Sequence, residues 1–150
     1  IIGLRSLRYG LIGMIPNILP GLAVYGYWGM FVGEIDIAAA TAFCISLGIV
    51  VDDTLHIINK YQLFRGQGLL PEEAVSKTMG LVGPALFTTT LVLTAGLVVI
   101  SFSGFGPNET IGLMTAPIIV VALVLDVLFL PPLLVFLDKY TLKTEVVPGS

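Results

Sequence analysis

In the stretch Gly48-Ile49-Val50-Val51-Asp52-Asp53-Thr54-Leu55-His56, two adjacent carboxylates, a hydroxyl and an imidazole interrupt an apolar run. Groups of this kind can bind protons and pass them on. Two neighbouring carboxylates repel each other when both are ionised, so one of them is expected to hold a proton near physiological pH. His56 lies three residues after Asp53 and four after Asp52, so a helix would bring imidazole and acid to one face. Metal binding is not expected, because zinc-type sites need further nitrogen or sulfur ligands, His56 is the only histidine, and the single cysteine, Cys44, lies in an apolar stretch. Asp126 is a third acid, alone in an otherwise uncharged run. Thr88, Thr89, Thr90 and Thr94 precede Ser101 in another such run. Thr90, Thr94 and Ser101 can share a helix face and bond to the acids, although threonine hydroxyls often bond back to their own helix.

The elements that must hold these groups follow from the distribution of charge. The 150 residues are 56% hydrophobic and 11% charged, with a mean hydropathy of +1.00, whereas soluble domains carry roughly 25% charged residues. No charge occurs in residues 9–33, 37–51 or 78–108, and residues 111–137 hold only Asp126. A bilayer core of ~30 Å needs roughly 20 apolar helical residues, so the chain reads as an all-α membrane protein with four transmembrane helices. The spans are expected at about 9–31, 37–59, 79–102 and 111–137. The net charge of -3, with no basic run, excludes an electrostatic footprint for nucleic acid. The chain starts at Ile1 and shows no signal-peptide pattern, so it is expected to be a piece of a longer membrane protein.

Four spans put both ends on one side. Arg5, Arg8, Lys60, Arg65, Lys77, Lys139 and Lys143 all fall on that side, which the positive-inside rule makes cytoplasmic, while Glu34, Asp36 and Glu109 lie opposite. Tyr9, Tyr61 and Tyr140 follow basic residues at the inner boundary, and Tyr25, Tyr27 and Trp28 gather near the outer one, as an interfacial aromatic belt would. Residues 60–78 are expected to form a cytoplasmic loop with a short surface helix from Pro71, favoured by proline at its first position and by Glu72 and Glu73. Pro16, Pro20, Pro84 and Pro117 are expected to bend or break their helices.

A second span ending at Val51 would leave the acids at the surface. Its 15 uncharged residues would then reach only ~22 Å, short of the core, and the apolar pattern resumes at Leu55, Ile57 and Ile58. The acids are therefore expected ~10 Å inside the boundary marked by Lys60. At that depth a charge costs several kcal/mol unless it is neutralised, paired or hydrated. Thr41, Gly48, Asp52, His56 and Asn59 follow helical spacing, as do Ala38, Ala42, Ser46 and Asp53, and both sets suit an interior face. No span carries a cation, so the acids are expected either to be mostly protonated or to find partners elsewhere.

The ordered set Leu4-Arg5-Ser6-Leu7-Arg8-Tyr9-Gly10-Leu11-Ile12, Ile15-Pro16-Asn17-Ile18-Leu19-Pro20, Gly48 to His56, Glu73-Ala74, Gly83-Pro84-Ala85, Thr88-Thr89-Thr90, and Asp126 through Pro131-Pro132-Leu133-Leu134 resembles the resistance-nodulation-division (RND) superfamily of exporters. Its closest branch is the MMPL-type lipid and hydrophobe exporters, related to sterol-sensing domains. The resemblance implies a proton-driven transporter of two six-helix halves, each with an extracytoplasmic domain after its first helix. This chain would be the last four helices of one half, the carboxy-terminal one, with residues 1–137 in the membrane domain and 138–150 as a cytoplasmic tail. Asp52 and Asp53 match the family's relay motif on the fourth helix of a half, which faces its counterpart in the other half. Thr54 and His56 fit the flank of that motif, and Thr89, Thr90 and Asp126 are candidates for relay support. Some members pair acid with tyrosine or lysine across the halves, whereas the motif here is Asp-Asp-Thr.

The function expected is export of lipids or other hydrophobic or amphiphilic compounds, driven by the proton-motive force, in a bacterial or archaeal cytoplasmic membrane. No cofactor and no enzymatic activity are expected. The expected partners are the remaining helices and extracytoplasmic domains of the parent transporter, membrane lipids and the hydrophobic substrate, with room for a homo-oligomer. The alternative is a sterol-sensing-type module that binds lipid and regulates partners. An intramembrane aspartyl protease using Asp53 and Asp126 is disfavoured because no Gly-x-Gly-Asp pattern occurs.

Overall fold

Each charge-poor run is apolar on all sides, and such a helix is stable only inside a protein or a bilayer. A computed structural model describes residues 2–145, with side chains placed over residues 13–140 except Ile15. It consists of α1 (Ile2–Phe31), α2 (Ile37–Gly66), α3 (Pro71–Ser101) and α4 (Gly106–Glu145). Of these, α2, α3 and α4 are long and apolar enough to cross a membrane over their described residues. The expectations that rest on the side chains of Arg5, Arg8, Tyr9 and Lys143, and on residues 146–150 of the tail, lie outside the described residues.

The connection expected over residues 60–78 is reduced to a turn at residues 67–70. α2 runs on to Gly66 because Thr54, Ile57, Ile58, Tyr61 and Phe64 continue its buried stripe. α3 starts at Pro71 as one helix rather than a separate surface helix, because Ala74, Thr78, Val82, Leu86 and Thr90 recur every four residues and pack as one ridge. Its first turn is closed by the Glu73 carboxylate, which accepts from the Leu70 N–H at 3.4 Å. Gly68, at φ +87°, supplies the left-handed residue that the tight turn requires. The prolines do not break the helices: Pro16 and Pro20 lie within α1, Pro84 within α3 and Pro117 within α4. Each removes a single backbone donor while the neighbouring turns keep theirs. The expected tail begins inside α4, which extends to Glu145.

Lipid chains are as apolar as leucine, so helices in a bilayer associate by close packing and interhelical hydrogen bonds. α1 and α2 run antiparallel along a stripe in which Gly13 meets Ile58 and Thr54, Gly21 meets Phe43, and Tyr25 donates to the Ala39 carbonyl. The Tyr25 and Phe43 rings stand edge to face, 5.2 Å apart. α2 and α4 run parallel: the Thr115 hydroxyl reaches the Ala42 carbonyl at 3.5 Å, Thr54 meets Asp126, and Tyr61 meets Asp138. Tyr61 is thus buried within the bundle and not part of a lipid-facing belt, and Tyr25 is half-buried, whereas Tyr27 and Tyr140 are exposed.

Gly112 marks a close approach of α3 and α4. A Cβ there would stand 2.5 Å from the Leu97 carbonyl oxygen and 2.9 Å from Ser101. Because backbone cannot swing away, Gly112→Ala is expected to cost about 1–3 kcal/mol. Gly96→Ala, which meets nothing within 4 Å, is the matched control. Thermal unfolding of the detergent-solubilised protein would measure both, and equal midpoints would contradict this packing.

Candidate proton-relay site

Successive residues of an α-helix point about 100° apart. At Asp52-Asp53-Thr54 this separates three neighbours: Asp52 is exposed on the outside of the four helices, Asp53 is half-buried at their edge, and Thr54 is buried among them. The two faces predicted as interior therefore differ. Ala38, Ala42 and Ser46 do pack inward, above Asp53, whereas Thr41, Gly48, Asp52, His56 and Asn59 form an exposed polar strip on this chain.

Thr54 joins three helices. Its hydroxyl lies 2.7 Å from Asn17 Oδ1 on α1, 3.2 and 3.1 Å from the two carboxylate oxygens of Asp126 on α4, and 3.1 Å from its own helix at the Val50 carbonyl. Asn17, Thr54 and Asp126 are all at most 3% exposed. The cluster lies between apolar layers one to two helical turns away on either side: Val50, Ile119 and Ala122 towards one end, and Ile57, Ile58, Leu130 and Leu134 towards the other. Asp53, next to Thr54 in sequence, is within Coulombic reach of Asp52, His56 and Asp126.

Of the sequence candidates, the structure brings Asp53, Thr54 and Asp126 together and leaves Asp52 and His56 on the outer strip. The hydroxyls of α3 are not drawn in. Thr88 donates to Pro84 O at 2.8 Å, Thr89 to Ala85 O and Leu86 O at 3.1 and 3.0 Å, and Ser101 to Val98 O at 2.6 Å. Thr90 is buried on α3, and the buried Thr94 hydroxyl has no hydrogen-bond partner among the described residues. Back-bonding to the preceding turn is the local option open to any threonine in a helix, and it prevails here.

Two polar groupings were not foreseen from sequence. One is Asn17, an amide inside an uncharged run, which was a signal in itself. The other is the group Tyr61, Arg65 and Asp138 at the end of the bundle that also carries Lys77 and Lys139: Tyr61 donates to Asp138 at 2.7 Å, and Arg65 Nε is paired with the same carboxylate. Nearby, Lys139 reaches Glu72 at 2.8 Å, and Lys77 lies 5.0 Å from the centre of the Phe64 ring.

Known proteins are similar to this chain in sequence. The toluene efflux pump membrane transporter TtgE of Pseudomonas putida is 32% identical over 126 residues, which is 83% of this chain and 12% of that protein. The solvent-resistant pump membrane transporter SrpB, also of Pseudomonas putida, is 31% identical over 102 residues, or 67% of this chain and 10% of that protein. The chain thus spans about a tenth of the length of these relatives. No solved structure gives a significant match. The model of the MMPL family matches residues 21–145. With its apolar helices and its likeness to pump membrane transporters, this is an integral membrane protein, and it belongs to the MMPL family.

Proposed function

We propose that this chain is part of a proton-motive-force-driven exporter of lipids or other hydrophobic compounds, in which Asp52 and Asp53 carry the protons. The observation that carries this reading is the strip on α2. Gly48, Asp52, His56 and Asn59 are exposed on a helix otherwise suited to lipid, and an acid and an imidazole facing hydrocarbon would cost several kcal/mol. Another part of the parent transporter is therefore inferred to cover the strip, and the carboxylates would exchange protons at that junction. The matched segments are only 12% and 10% of the two pump relatives, which leaves ample chain to supply the cover. Loss or gain of a proton at Asp53 would change the charge beside the buried Thr54 and Asp126, and so the packing of α2 against α1 and α4. Residues 1–137 would form the membrane domain and 138–150 the tail, with both ends cytoplasmic, as the basic residues favour.

Efflux of a hydrophobic dye from vesicles carrying the complete transporter should require an imposed pH gradient and stop when a protonophore collapses it. Lipid binding with no dependence on the gradient would instead favour the sterol-sensing-type module. Gly48→Leu tests the cover directly. A Cβ at Gly48 meets nothing within 4 Å in this chain, so the four helices should pack unchanged while transport falls sharply, because the larger side chain wedges the covering element away. Undiminished transport in that variant would mean that the strip is open.

A further inference from the structure

The hydrogen bonds around Thr54 do not balance if Asp126 is ionised. A hydroxyl has one proton to donate and lone pairs to accept with. Yet Thr54 Oγ1 lies within bonding distance of four acceptor oxygens: Asn17 Oδ1, Val50 O, and both oxygens of Asp126. An ionised Asp126 would have this single hydroxyl as its donor among the described residues. Among the described residues the ion pairs are Arg65 with Asp138 and Lys139 with Glu72, both away from this site. A buried carboxylate so poorly compensated is strongly disfavoured. A neutral carboxylic acid resolves the conflict. It donates its own proton to Thr54 Oγ1, and Thr54 donates to Asn17 Oδ1, the shortest of the four contacts at 2.7 Å.

We propose that Asp126 is a second proton-binding site, occupied in this packing of the helices, and that Asn17 and Thr54 are its positioning residues; the coupling of this site to transport rests on the relay reading of Asp52 and Asp53. Asn17 engages the proton of Thr54 and so turns a lone pair of the hydroxyl towards the acid. Around Asp126, α2 contributes Asp53 as the titratable neighbour and Thr54 as the bonding one, α1 contributes Asn17, and α3 is uncharged over residues 78–101. Two acids in mutual reach are not both ionised cheaply. Proton release at Asp53 therefore holds the proton on Asp126, and the reverse.

The same geometry gives α1 a part in coupling. Were α1 to move and carry Asn17 away, the Thr54 hydroxyl would be free to turn and donate to Asp126, favouring release of the proton there. A proton shifts a conformational equilibrium only if the two states bind it differently, and the Asn17 amide supplies such a difference. Gly13, one turn from Asn17 and against Thr54 and Ile58, is the close contact that sets the position of α1.

The test is infrared titration of the complete transporter in lipid nanodiscs, read without transport. At neutral pH the wild type should show a carboxylic-acid C=O band that Asp126→Asn removes. Asn17→Leu should lose that band about one pH unit lower, because turning the Thr54 hydroxyl to the carboxylate no longer leaves an amide unpaired. Thr54→Val should lose it about one pH unit higher, because the ionised acid has lost its donor. Thr54→Ser, which keeps the hydroxyl, should titrate as the wild type does. Opposite shifts cannot come from general loosening of the fold. A band unaffected by Asp126→Asn, or shifts of the same sign in Asn17→Leu and Thr54→Val, would overturn the proposal. Failure of the relay reading is seen separately, as proton-driven efflux persisting in Asp53→Asn.

Discussion

Asp53→Asn in the complete transporter is expected to reduce export to the level seen without a pH gradient, with the amount of protein in the membrane unchanged. Asparagine has nearly the same shape as aspartate but has no carboxyl to bind and release a proton, so on the proposed relay reading a proton carrier is lost while a packing residue is kept. Asp53 is half-buried and accepts no hydrogen bond from the described side chains, so the exchange breaks no bond that holds the four helices together. Asp52→Asn is expected to have the same outcome for a different reason. Its carboxylate stands on the exposed strip of α2, where it would meet the covering element and interact with the adjacent Asp53. Efflux from vesicles under an imposed gradient, with immunodetection of the transporter in the same membranes, measures both variants. Unchanged transport in Asp53→Asn would remove the relay assignment, and loss of the protein from the membrane would expose a structural role instead.

The continuation of α2 past the acids was legible because it depends on counting. Fifteen uncharged residues before Asp52 cannot span the core, and α2 indeed continues through Asp52 and Asp53 to Gly66. The partners were less legible, because they depend on which face of each helix turns inward. Asp52 and Asp53 are neighbours in sequence but occupy different environments, and only the inward turn of Thr54 decides that Asp126 bonds to α2 rather than to the threonines of α3. Tyr61 misled for a related reason. Its place beside Lys60 suits an interfacial ring equally well, but its helix extends past the expected boundary and carries the ring into the bundle, where Asp138 accepts its hydroxyl proton. The charged segment 60–78 read as a loop because charge marks the edge of the bilayer, and helices do not have to end where the bilayer does.

Arg65→Ala is expected to destabilise the bundle by about 2–3 kcal/mol. The carboxylate of Asp138 is only 4% exposed, and it is held by Arg65 Nε together with the Tyr61 hydroxyl. Taking the guanidinium away leaves a nearly buried charge with weaker compensation, which is what makes breaking such a pair expensive. The figure belongs at the low end of the range for buried pairs because the Arg65 side chain is 23% exposed, and water replaces part of what it supplies. Tyr61→Phe removes one hydroxyl and should cost about 1 kcal/mol, with the cation still in place. Arg65→Lys should recover only part of the loss, because the arginine bonds to Asp138 and also reaches the Leu69 carbonyl with its second nitrogen, and an ammonium lacks that fork. The decisive measurement is the pair Arg65→Met with Asp138→Leu. If the cost of each single change comes from stranding its partner, the double variant should be more stable than their sum, and a thermal-unfolding cycle reads the difference. Strict additivity would mean that the two groups act independently. A positive coupling would place a firm tie between the end of α2 and α4, beyond the Thr54 and Asp126 contact in the middle of the same two helices. Movements that begin at Asp53 would then have to carry α2 and α4 together, leaving α1, which joins the buried cluster through Asn17, as the element free to move against them.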